Sequence, residues 1–105
     1  MTAKAVRLSP AARRDAGAIA RRYRAEAGET VALDFARELA AAVDHVARQP
    51  ASGSPRYAEV VGIAGLRQWP VRGFPYLLFY VEMPDRVRVL RILHGSRDIP
   101  ASLRR

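Results

Sequence analysis

Cysteine is absent from this chain of 105 residues, which excludes disulfides and thiolate metal sites and fits a reducing, intracellular setting. Histidine is scarce, with only His45 and His94, and the two fall in different segments with no tight carboxylate cluster beside either. The sequence therefore calls for no metal and no cofactor. No apolar run is long enough to cross a bilayer, since the most apolar stretch is only residues 77–81. Nor does MTAKAVRLSP at the start look like a signal peptide or membrane anchor. The expectation is a soluble, cytoplasmic protein with no membrane partner. There is no Gly-rich phosphate loop and no G-x-S-x-G elbow.

Acidic residues are also in short supply. Ten stand against 18 basic ones, a formal net charge of +8, and Lys4 is the sole lysine. A chain this arginine-rich is drawn to polyanions or to an acidic protein partner. Half the residues are hydrophobic and 27% are charged, so the chain folds, and its length supports one domain over residues 1–105.

The element pattern is β-αα-βββ. Residues 4–8 alternate as a strand. Ser9-Pro10 supplies an N-cap hydroxyl and a proline at the first helical position, and a helix is predicted to about Ala27. Gly28 is its C-cap and the link to a second helix, from about Thr30 to Gln49, which Pro50 stops. Arg13, Arg14, Arg21, Arg22 and Arg24 read most simply as the solvated face of the first helix, and secondarily as a contact surface for an acidic partner. A turn-rich loop runs loosely from Pro50 to Gly65. Three strands follow at 65–71, 74–82 and 86–94. Strands segregated from helices imply an α+β fold: an N-terminal strand, an antiparallel two-helix hairpin, then a three-stranded antiparallel sheet, the whole a mainly antiparallel sheet with the hairpin on one face.

In the middle strand Tyr76, Leu78 and Tyr80 share one face and Leu77, Phe79 and Val81 the other, and both sets are apolar. Strict alternation puts Leu90 and Ile92 together in the last strand, opposite Val87, Val89 and Leu93. One hairpin covers one face, so an apolar face is expected to remain for a partner protein. The alternative is that residues 99–105 fold back over part of it.

VLRILHGSRDI (89–99) ends in an imidazole, a hydroxyl, a guanidinium and a carboxylate. Metal-free RNA cleavage needs a base, an acid and cations on the phosphate. His94 is the candidate proton carrier, with Arg72, Arg91 and Arg97 as phosphate ligands. In the plainer reading Gly95 makes a turn, Asp98 caps a short C-terminal segment, and Arg97 pairs with an acid.

Gly65-Leu66-Arg67, the run from Val71-Arg72-Gly73-Phe74-Pro75-Tyr76 to Tyr80, and Val89-Leu90-Arg91-Ile92-Leu93-His94-Gly95-Ser96-Arg97-Asp98-Ile99 resemble the ParE branch of the RelE/ParE toxin superfamily. Leu8-Ser9-Pro10-Ala11-Ala12 and the helix stop Gln49-Pro50 match as well. The resemblance covers almost the whole chain. It implies a toxin of a type II toxin–antitoxin pair, held in a hetero-oligomer by a ParD-like antitoxin with an acidic tail. ParE members poison DNA gyrase, whereas RelE members are ribosome-dependent mRNA endoribonucleases. RelE-like nucleases carry an arginine just after the middle-strand tyrosine and a tyrosine near the C-terminus. Here the first position is Leu77 and the last tyrosine is Tyr80, so the resemblance implies a toxin without nuclease chemistry.

Tyr76, Leu78, Tyr80, Leu90 and Ile92 are the antitoxin-contact candidates, replaced by Leu77, Phe79 and Val81 if the helices cover that face. His94 and Arg97 are candidates for contact with the target. The competing readings are a RelE-type nuclease using His94, Arg72 and Arg97, and a basic nucleic-acid-binding module.

Overall fold

A computed structural model describes residues 3–104. Strand β1 (Ala5–Leu8) leads into helix α1 (Pro10–Ala27). The Ser9 hydroxyl accepts the Ala12 N–H, the cap that the Ser-Pro pair predicted. Gly28, at φ 97°, ends α1 and opens α2 (Glu29–Arg48), with its N–H on the Tyr23 carbonyl. That positive φ is why a glycine stands at the hairpin's corner. Helix α2 stops one residue earlier than expected, and Pro50 opens a 3₁₀ turn, Pro50–Ser52.

Strands β2 (Leu66–Pro70), β3 (Tyr76–Glu82) and β4 (Arg86–His94) form an antiparallel meander. The sheet has four strands, not three, in the order β1-β4-β3-β2. Strand β1 pairs parallel to β4, so the sheet is mixed. Two short helices were not expected, α3 (Ala58–Val61) and α4 (Ile99–Leu103). Each is a turn or little more, too short for a periodic pattern to reveal.

The α1–α2 hairpin covers one face. Ile19, Phe35 and Val46 from the helices pack on Tyr76, Leu78, Tyr80, Val87, Val89 and Ile92 from the sheet. The rings of Tyr23, Phe35, Phe74 and Tyr76 meet edge-on or tilted, with centroids 5.3 to 6.2 Å apart. Strict alternation fails in β4. A bulge opposite Phe79 and Tyr80 leaves Leu90 without a cross-strand partner. Val87, Val89 and Ile92 therefore face the hairpin, while Leu90 and Leu93 face the other side.

That other side is covered in part by α3 and α4. Leu66, Phe79, Leu93 and Ile99 are its buried centre, with Leu77, Val81, Leu90, Ile63 and Leu103 half-buried around them. The C-terminal segment does fold back; Arg105, its last residue, lies outside the described residues. Arg104 donates to the Val60 carbonyl at 2.6 Å and Arg91 to the Ser102 carbonyl at 3.1 Å, which ties α4 to α3 and to β4.

Tyr80 also ties the long loop down. Its hydroxyl donates to the Pro50 carbonyl (2.8 Å) and accepts the Gly53 N–H (3.0 Å). Burial pushes its pKa up, so the phenol stays protonated and able to donate. Tyr80→Phe leaves both backbone groups unpaired and is expected to lower stability by about 1–3 kcal/mol. Urea denaturation at neutral pH checks this; an unchanged midpoint would show that water replaces the phenol.

Candidate functional site

The end of β1 beside β4 sets the local chemistry. Strand β1 ends its pairing at Val89, so the backbone of β4 beyond that point needs other partners. Helix α1 supplies them. The Ser9 N–H donates to the Val89 carbonyl, and the Ser9 hydroxyl donates to Leu90 O at 2.7 Å. One and a half turns along α1, the Asp15 carboxylate accepts the Ile92 N–H at 3.0 Å. The same carboxylate takes two bonds from Arg91, Nε at 2.7 Å and Nη2 at 3.0 Å. Both side chains are mostly buried, with 16% and 22% of their surface exposed. The hydrogen bonds that Arg91 donates to Asp15 raise its pKa above the ordinary value, against the opposing effect of burial.

His94 closes β4 opposite Tyr76, whose ring it meets edge-on with centroids 5.3 Å apart. The chain then turns, with the Gly95 N–H on the Pro75 carbonyl and the Arg97 N–H on the His94 carbonyl. The His94 Nδ1 accepts the Ser96 N–H at 3.1 Å and lies 2.8 Å from the Ser96 hydroxyl. An acceptor role at Nδ1 places the ring hydrogen of the neutral imidazole on Nε2. Asp98 caps α4 by accepting the Ala101 N–H.

A cavity of about 300 Å³ lies between this turn and α1, lined among others by Asp15, Arg22, Tyr76, His94, Ser96 and Arg97. His94 and Arg97 are thus brought together. Arg97 makes no ion pair with Asp98 or with any other acid among the described residues. Arg72 stands apart from them, lining a separate cleft with Glu38, Ala42, Trp69 and Pro70.

Of the antitoxin-contact candidates, Tyr76, Leu78, Tyr80 and Ile92 are interior residues beneath the hairpin. This corrects the expectation that they share an open face with Leu90. Both faces of β3 are apolar, so alternation alone did not say which one the helices take, and the bulge separated Leu90 from Ile92. Of the alternative set, Phe79 is fully buried while Leu77 and Val81 are half-buried. Leu90 lines a cleft with Ile63 and Leu103, and Arg14 and Arg88 also line it.

Asp15 and Arg22 were missed as site residues because they look like parts of a solvated helix face. One signal was available: Asp15 is the sole acid in α1 before Glu26, on the same face as the buried Ala12 and Ile19. Among the described residues no cluster of three or more His, Cys, Asp or Glu is placed to hold a metal. No helix there is long and apolar enough to cross a membrane.

Asp15→Ala strips the acceptor from a mostly buried guanidinium and from a strand N–H. The expected loss is about 2–4 kcal/mol in urea denaturation. If Asp15→Ala and Arg91→Ala add without coupling in a double-mutant cycle, the pair contributes no interaction of its own.

Comparison with known proteins agrees with this architecture. A model of the family described as "ParE toxin of type II toxin-antitoxin system, parDE" matches residues 6–99. Among solved structures, a chain of the chromosomal ParDE TA system from P. aeruginosa superposes with a TM-score of 0.72 at 18% identity, covering 87% of this chain and 95% of that one. At that identity the likeness is one of fold. No match is found among curated proteins.

Proposed function

The chain belongs to the ParE toxin family of type II toxin–antitoxin systems, and we propose that it inhibits DNA gyrase by binding, without catalysis, until a ParD-like antitoxin silences it. The family match over residues 6–99 carries this reading. The geometry supports it against the nuclease alternative: Arg72, needed beside His94 in that alternative, lines a different cleft. The Asp15 carboxylate, which lines the imidazole's cavity, is engaged by Arg91 and Ile92. His94 and Arg97 are then target contacts. The protein acts in the cytoplasm, where gyrase and its DNA are.

For the antitoxin the cleft around Leu90 is the better candidate than the residues under the hairpin. Its apolar residues Leu90, Ile63 and Leu103, with Arg14 and Arg88 alongside, fit an amphipathic acidic segment. Leu77 and Val81 continue the same apolar face.

Toxin freed of its antitoxin, added to gyrase with plasmid and ATP, is expected to block supercoiling and trap linear DNA. Ribosomes translating a defined mRNA in a parallel reaction should leave the message intact. Cut mRNA with normal supercoiling would establish the nuclease reading instead, and His94→Ala would then abolish most of the cleavage. For the docking cleft, Leu90→Glu should weaken the antitoxin complex about tenfold or more, as expected for an anchor residue facing an acidic partner. Titration calorimetry reads this, with the thermal midpoint as control. Unchanged affinity in a folded variant would move the antitoxin elsewhere.

A further inference from the structure

We propose that the cavity between α1 and the 94–97 turn is a binding site for a phosphate group. It has two guanidinium-bearing residues in its wall that arrive from different parts of the chain, Arg22 from α1 and Arg97 from the turn. Neither forms an ion pair among the described residues. By contrast Arg24, Arg37, Arg48 and Arg86 are held by acids within five residues, and Arg91 by Asp15 across the fold. Guanidinium forks match phosphate oxygens two at a time, and two of them across a cavity fix both the charge and the position of the anion.

Two further features favour an anion. The only acid in the wall among the described residues is Asp15, and both of its oxygens are already taken by Arg91 and the Ile92 N–H. Its charge is therefore answered within the protein and leaves Arg22 and Arg97 in excess. The second feature is the imidazole. Because Ser96 holds the Nδ1 of His94, Nε2 is the hydrogen-bearing nitrogen, so the ring presents a donor. A cavity of about 300 Å³ sits at the small end of ligand sites, enough for a phosphate with part of the group that carries it.

The phosphate belongs either to a nucleic-acid strand or to a free anion, and the overall charge of +8 raises the local concentration of both. The site builds on the reading of His94 and Arg97 as target contacts. Its test contains no gyrase, so failure here and failure of the gyrase assay are separate results.

The test is a ¹H–¹⁵N titration of the full chain with inorganic phosphate, and separately with a short single-stranded DNA oligonucleotide. The expected result is a saturable shift of the Ser96 and Arg97 amides. Arg22→Gln/Arg97→Gln should weaken binding about tenfold or more, whereas Arg37→Gln/Arg56→Gln, which removes the same charge elsewhere, should weaken it only about twofold. Arg97→Lys, which keeps the charge and loses the fork, should fall between them. Tighter binding of the oligonucleotide assigns the phosphate to a strand, and equal binding per phosphate assigns it to a free anion. Shifts that spread over the whole basic surface without saturating, or equal losses in both double variants, would overturn the site. The same spectra report whether each variant is folded.

Discussion

The grip of Asp15 on β4 is the constraint on which the rest of the molecule depends. Beyond Val89 the central strand β4 has backbone groups that β1 no longer pairs, and in a packed interior those groups must find acceptors and donors. Helix α1 meets that need with Ser9 at its cap and Asp15 further along. Arg91 then neutralises the carboxylate and reaches on to the Ser102 carbonyl of α4. One network thereby sets the position of α1 on the sheet, the phase of β4 after the bulge, and the placement of the C-terminal helix.

That network also decides what is left for partners. After the bulge, Ile92 and His94 share the hairpin side, so the strand end and the following turn face α1 across a small basic cavity. Leu90 is thrown to the other side, where α3 and α4 cover the apolar surface only in part. The chain thus carries two unlike surfaces on opposite sides of the same strand. One is a basic cavity, which we propose meets the target, and the other an apolar cleft with arginines nearby, which we propose takes the acidic antitoxin segment. The two surfaces share the Asp15–Arg91 pair, since Asp15 lines the cavity and Arg91 the cleft.

Fold and activity are separable here. A chain of the P. aeruginosa ParDE system shares the architecture at 18% identity, a level at which side chains in the site are not carried over. What the protein does is argued from family membership and from the grouping of His94, Arg97 and Arg22 away from Arg72.

Much was legible in the residues taken in order. Ser9-Pro10, Gly28 and Pro50 mark helix ends because capping and φ are local matters, and the caps at Ser9 and Asp98 stand where those residue types predicted. The last three strands were visible as apolar segments bounded by turn residues, and the hairpin as period-3.6 patterns. The sequence by itself therefore determined the kind and order of the main elements and the excess of positive charge. The tertiary structure alone decided three things: that β1 lies parallel beside β4, that Tyr76, Leu78 and Tyr80 are the covered face, and that Leu90 and Ile92 part company at a bulge. Each depends on groups far apart in the chain, as Asp15 and Ile92 are. Local periodicity has no information about which distant carboxylate will satisfy a strand's unpaired N–H.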